Sequence, residues 1–220
     1  MANDINDSGA RQYFIKVCGS QRLGNRPKFS HTYAAFIEQQ VRQDESVVRR
    51  ILAISWLPRS GDIKPLGPPE RGRNYSLRET LAWLDQAGST LHWESPETEI
   101  QPGLFQSAVD RIQELERGVL QYVMIDSFQS RPHDASNCIH AVTDLPLALG
   151  TLGMTFTGIL HGIQASRFVY QYLSPFYSGR SKVSEESEKL VEELQRAHFQ
   201  AALVHTTHAK TLKQLVEHAD

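Results

Sequence analysis

The 220-residue chain reads as an α+β protein: a mostly antiparallel sheet packed on a helix that begins at Cys138, with a long helix towards the C-terminal end. Three observations lead there. Strand-length runs rich in β-branched and aromatic residues fall at Gln12, Tyr33, Val47 and Val119. Ser136-Asn137, two residues that cap helices, stand immediately before Cys138. The stretch from Ser184 to His218 is polar, free of proline and glycine, and rich in Glu, Lys and His.

The elements follow in order. Gln12 to Val17 is a strand, Gly19 to Lys28 a loop, and Ser30 to Ile37 a second strand with His31 near its start. Val47 to Trp56 is a third, ended by Pro58-Arg59-Ser60-Gly61, and these three pair as an antiparallel sheet. Gly61 to Arg73 turns to proline, glycine and charge and reads as an exposed connection. Ser76 with Glu79 three residues on is a capping box, opening a helix with Leu77, Thr80, Leu81 and Leu84 on one face that stops at Gly88. Thr90 to Glu94 is a short strand. Pro102-Gly103 precedes a second amphipathic helix whose stripe is Leu104, Ala108, Ile112 and Leu115. Val119 to Ile125 is the next strand, and polar Asp126 to Asn137 leads to the helix start at Cys138. Met154 to Tyr172 and Ser184 to His218 complete the helices, with Leu190, Leu194, Phe199 and Leu203 as the apolar stripe of the last. Residues 1–180 are expected to form one domain, and 181–220 a helical extension resting on it or on a partner chain, a second copy included.

Bulk composition excludes several classes. Lys plus Arg total 23 against 25 Asp plus Glu, so no strongly basic face for nucleic acid is expected. No apolar run approaches the roughly 20 residues that span a bilayer; Leu145 to Leu160 is interrupted by Gly150, Gly153 and Gly158. Met1 to Asp7 lacks the basic and apolar regions of a signal peptide. A soluble protein with the cytoplasm as default compartment is the expectation, although a removed leader would leave the same sequence. Two cysteines make no disulfide framework.

Chemistry concentrates at Cys138. In the first turn of a helix, unpaired N–H groups and the positive dipole end stabilise a thiolate, and the same N–H groups can hold an oxyanion. A cysteine nucleophile needs a base on a separate rigid element, and His31 is the best placed. The plain alternative is that Cys138 is a small buried hydrophobe, as most free cysteines are. Cys18, at a strand end, reads as core. His140 lies two residues past Cys138 and so points elsewhere on a helix; His133-Asp134 reads as solvent-exposed. His198, His205, His208 and His218 lack the converging third ligand and cysteine of a zinc site, so no metal is expected. Nothing around Gly150 to Gly158 has phosphate-loop spacing.

The motifs Ser30-His31-Thr32-Tyr33-Ala34 and Asn137-Cys138-Ile139-His140 resemble the histidine strand and the asparagine–cysteine motif of the circularly permuted papain-like superfamily, with histidine before cysteine. Its members include permuted NlpC-like amidases and lecithin:retinol acyltransferase-like enzymes. The match spans about Gln12 to Leu147. The resemblance implies a thiol-dependent hydrolase or acyl transferase without metal or organic cofactor. Cys138 attacks an amide or ester carbonyl, His31 shuttles the proton, and the turn at Asn137 and Cys138 stabilises the oxyanion. Peptide, peptidoglycan and lipid ester are all open as substrates. The family's third polar residue sits on the strand after the histidine strand, where this chain has only Ser55, a weak orienter. Either Ser55 serves, or His92 or Glu94 does, or the pair works without one. A catalytically inactive domain of the same fold, used for binding or assembly, is the alternative.

Overall fold

The computed structural model describes residues 10–23, 27–42, 46–64, 67–124, 135–145 and 161–178. Its main sheet is built on β1 (Arg11–Gln21) and β2 (His31–Val41), which pair antiparallel from Arg11↔Gln40 to Ser20↔His31. The expected loop at Gly19 thus starts later, after Gln21, and a short 3-10 turn at Pro27–Phe29 leads into β2. β3 (Val47–Ile54) pairs with the outer side of β2, while β6 (Leu91–Glu94) and β7 (Thr98–Glu99) pair with β1. The order β3-β2-β1-β6 is antiparallel throughout, as the strand runs lead one to expect.

The third strand run does not continue straight to Trp56. It breaks at Ser55, and β4 (Trp56–Pro58) passes into a second sheet of order β4-β5-β8-β9. β5 (Glu70–Asn74) lies inside the segment expected to be a connection. Its charged side chains hide a strand that pairs with β4 before it and with a strand about 50 residues later, and alternate residues hold the charge in solvent. Gly72 is needed there: a Cβ would come 2.0 Å from the Trp56 ring. The strand expected over Val119 to Ile125 shrinks to β8 (Gln121–Tyr122), with Val119 exposed. Those two residues pair with β5 on one side and the parallel β9 (Ala135–Ser136) on the other, and Val123 adds one bond to Ser136 O.

α1 (Leu77–Gln86) carries the capping box at Ser76 and Glu79 in both directions, and Arg73 also bonds Glu79. α2 (Pro102–Glu116) starts with proline in its first turn and buries Leu104, Ala108 and Leu115, with Ile112 partly covered. α3 (Cys138–Thr143) and α4 (Gly162–Tyr172) follow. Residues 154–160 of the expected Met154 to Tyr172 helix, the Ser184 to His218 helix and the 181–220 extension lie outside the described residues.

α2, α3 and α4 share one face of the main sheet, while α1 brings Trp83 against His31 on the other. Gly19 lets α4 approach β1 so closely that a Cβ would meet Ser166 Oγ at 2.5 Å, and that hydroxyl lies 2.9 Å from both Cys18 O and Thr32 Oγ1. Tyr13, on the same side of β1, packs its ring on Phe105 of α2 at 4.7 Å. α3 packs on α4 and β2 and is bonded to α2, so it belongs to this layer. Phe36, Ile54, Leu104, Val142 and Val169 are fully buried in the core between.

Candidate functional site

Cys138 is the first residue of α3 and is half-buried. Asn137 caps the helix, its Oδ1 accepting from the Ile139 and His140 amides at 2.9 and 2.8 Å, as a carboxamide at this position does. Ala141 N donates to Asn137 O at 3.0 Å. The oxyanion cradle expected of this turn is therefore partly taken: two of its N–H groups are held by the Asn137 side chain. His140 is fully buried within the packing of α3.

His31 opens β2 and is fully buried. Its Nε2 lies 2.8 Å from Ser55 Oγ, so of the three residues weighed as its polar partner Ser55 is the one that meets it. His92 instead bonds Ser89 O at 3.2 Å, and Glu94 holds the Lys16 ammonium at 3.0 Å. The ring stacks on Tyr33 at 5.5 Å and meets the edge of Trp83 at 5.6 Å. Nδ1 is buried with no hydrogen-bond partner among the described residues. Burial pulls the imidazole down to about 3, because the low-dielectric interior penalises the cation. His31 is neutral at neutral pH.

Neither ring nitrogen bonds the Cys138 thiol, and strand geometry gives the reason. Thr32 turns its hydroxyl to α4, so its neighbours His31 and Tyr33 project from the opposite face of the sheet. The structure brings His31 and Ser55 together on the face that α1 covers, while the helix that starts at Cys138 packs with α2 and α4 on the other. Directly across from His31 on β1 is Ser20, whose buried Oγ also has no hydrogen-bond partner among the described residues. Cys18 is fully buried, and burial first, then the Glu94 charge, pushes its thiol far up.

Three residues that the sequence reading passed over do the positioning. Asn74 clasps the strand break: its Oδ1 accepts from Ser55 N at 2.8 Å and its Nδ2 donates to Ala53 O at 2.9 Å. Trp56 donates its indole N–H to Ser136 O at 3.0 Å, joining the segment after Ser55 to the one before Asn137. Arg111, buried on α2, donates to Ala141 O at 3.4 Å and to the Asp144 carboxylate at 3.2 Å, which brackets α3. A signal for Arg111 was available, since it continues the 3.6 period of Leu104, Ala108 and Leu115. A charge inside an apolar stripe marks a buried pair.

The fold and these contacts define an α+β protein whose main antiparallel sheet carries α2, α3 and α4 on one face and Trp83 of α1 on the other, holding a capped, half-exposed cysteine and a buried His–Ser pair. Comparison with protein-family models, curated proteins and solved structures gave no match. Among the described residues, no cluster of His, Cys, Asp and Glu is placed to hold a metal, and no helix is long and apolar enough to cross a membrane.

Proposed function

We propose that the chain adopts the permuted papain-like arrangement with its cysteine and histidine held apart, and that it works by binding or assembly rather than by acyl transfer. Support for the arrangement is the chain order of a histidine strand, a polar Ser55 bonded to that histidine, and an Asn137-capped Cys138 helix. Support for the non-catalytic role rests on one observation, the disposition of His31. A general base works best with a pKa near the operating pH and within hydrogen-bond reach of the proton it takes. His31 lies far below that pKa, commits Nε2 to Ser55 and faces away from the helical layer that carries Cys138.

Acyl transfer is the second reading, and the half-exposed Cys138 in a capped first turn favours it. There Cys138 attacks an amide or ester carbonyl of a peptide, a peptidoglycan stem or a lipid ester, and His31 moves the proton from thiol to leaving group. The deciding experiment is labelling with electrophilic acyl probes of graded leaving groups, followed by mass spectrometry. A binding domain modifies Cys138 no faster than a free thiol and is indifferent to His31→Ala. Rapid acylation of Cys138 that His31→Ala abolishes would overturn the non-catalytic reading.

A further inference from the structure

β3 is the end strand of the main sheet, and among the described residues no strand pairs with its outer edge. Asn74 Nδ2 reaches Ala53 O from the side away from β2, so the Ala53 backbone points outward. The two-residue alternation of an antiparallel ladder turns the N–H and C=O of Ile51 and Arg49 the same way. Strand edges of this kind are templates for an added strand unless they are blocked.

Beside that edge runs a groove of about 570 Å³, within the range of about 300–1,000 Å³ for ligand sites. Ile51 and Leu52 form one wall, and Ile112 and Leu115 of α2 give an apolar floor. Its rim carries Arg59 and Arg71, held side by side because Arg59 N donates to Arg71 O at 2.8 Å. Both are exposed, and neither makes an ion pair among the described residues. A third arginine, Arg73, is neutralised by Glu79, and Glu116 is the one further carboxylate on the lining. The lining therefore holds cationic charge in excess.

We propose that β3 and this groove form a docking site for an extended acidic peptide segment of a partner protein. The segment adds as a strand along Arg49 to Ile51, where Asn74 no longer covers the edge, sets apolar side chains on Ile112 and Leu115, and places carboxylates on Arg59 and Arg71. The free strand edge favours a peptide over nucleic acid, which has no backbone to pair with it. This inference rests on the binding reading and names its surface.

The test uses the full chain and a fluorescein-labelled octapeptide of alternating Glu and Val, followed by fluorescence anisotropy, with a Lys–Val octapeptide as control. The acidic peptide should bind and the basic one should not. Arg59→Ala combined with Arg71→Ala should weaken binding by about tenfold or more, the scale of losing hydrogen bonds to charged groups. Hydrogen exchange should slow at the Ile51 and Arg49 amides when the wild-type chain is saturated with peptide. Equal binding of both peptides, no effect of the double arginine variant, unprotected β3 amides, or an oligonucleotide that competes fully would each overturn the site. Cys138 labelling is indifferent to these outcomes, so failure of this surface is distinguishable from failure of the binding reading.

Discussion

The indole N–H of Trp56 donates to the carbonyl of Ser136 at 3.0 Å, and Gly72 leaves the space in which that indole lies. One buried side chain thus ties the strand that leaves Ser55 to the strand that delivers Asn137. Trp56→Phe should cost about 0.5–1.5 kcal/mol, the net value of one hydrogen bond, because Ser136 O keeps the Val123 N–H at 3.2 Å. Gly72→Ala should cost about as much or more, because its Cβ overlaps the ring and packed interiors do not yield. Urea unfolding of both variants checks this, and an unchanged midpoint for Gly72→Ala would refute the packing argument.

Arg111 and Asp144 form a pair with both side chains nearly sealed from water. Arg111→Met should destabilise by about 3–5 kcal/mol, since Asp144 is left charged and buried. Adding Asp144→Leu should recover most of that loss, because the double variant leaves no unpaired charge buried at this site. A double variant as unstable as the single would mean that the bond from Arg111 to Ala141 O carries the effect instead.

Asn137 sets the start of α3 through two bonds from one oxygen. Asn137→Ala should lower stability by about 1 kcal/mol, and Asn137→Asp, which keeps an acceptor, should lower it less. Thermal melts with Cys138 alkylation rates measured alongside would read both the cap and its hold on the thiol.

His31 makes the stability depend on pH in a known direction. Its folded pKa is depressed to about 3 from an ordinary value of 6.5, so between those values the unfolded chain binds the proton that the folded chain refuses. Both states are neutral above the window and this site contributes no slope there. As pH falls from 6.5 towards 3, stability drops by up to about 1.4 kcal/mol per pH unit. His31→Gln should flatten that part of the profile in denaturant melts from pH 4 to 8. An identical slope in the variant would mean that His31 is not buried as a neutral ring.

Iodoacetamide offers a comparison within one chain. Cys138 is half-buried and should alkylate in the folded protein, while Cys18, sealed in the sheet with its thiol pushed up by burial, should react only on unfolding. Peptide mass spectrometry at pH 7.5 with and without denaturant separates them. Folded-state labelling of Cys18 at the rate of Cys138 would contradict the described core.

What the sequence by itself determined is what short-range chemistry can specify. The runs at Gln12, Tyr33 and Val47 became adjacent antiparallel strands because neighbours in the chain are easily neighbours in a sheet. The Ser76–Glu79 box and the Asn137 cap formed where written, because each is closed by residues within three positions. Even Ser55 beside His31 was legible, from one polar residue on the next strand. Tertiary structure decided the rest. The pairing of β5 with β8 joins segments far apart in the chain, and charge at Glu70 to Asn74 concealed one strand while apolar content at Val119 overstated another. Above all, alternation in β2 says that His31 and Thr32 point to opposite sides, but not which side receives α2, α3 and α4. Gly19 and Ser166 settled that by drawing α4 onto the Thr32 face, and Arg111 drew α3 there too, leaving His31 with Ser55 on the other side of the sheet from Cys138. A motif names residues along a chain; the packing of remote side chains assigns them a face.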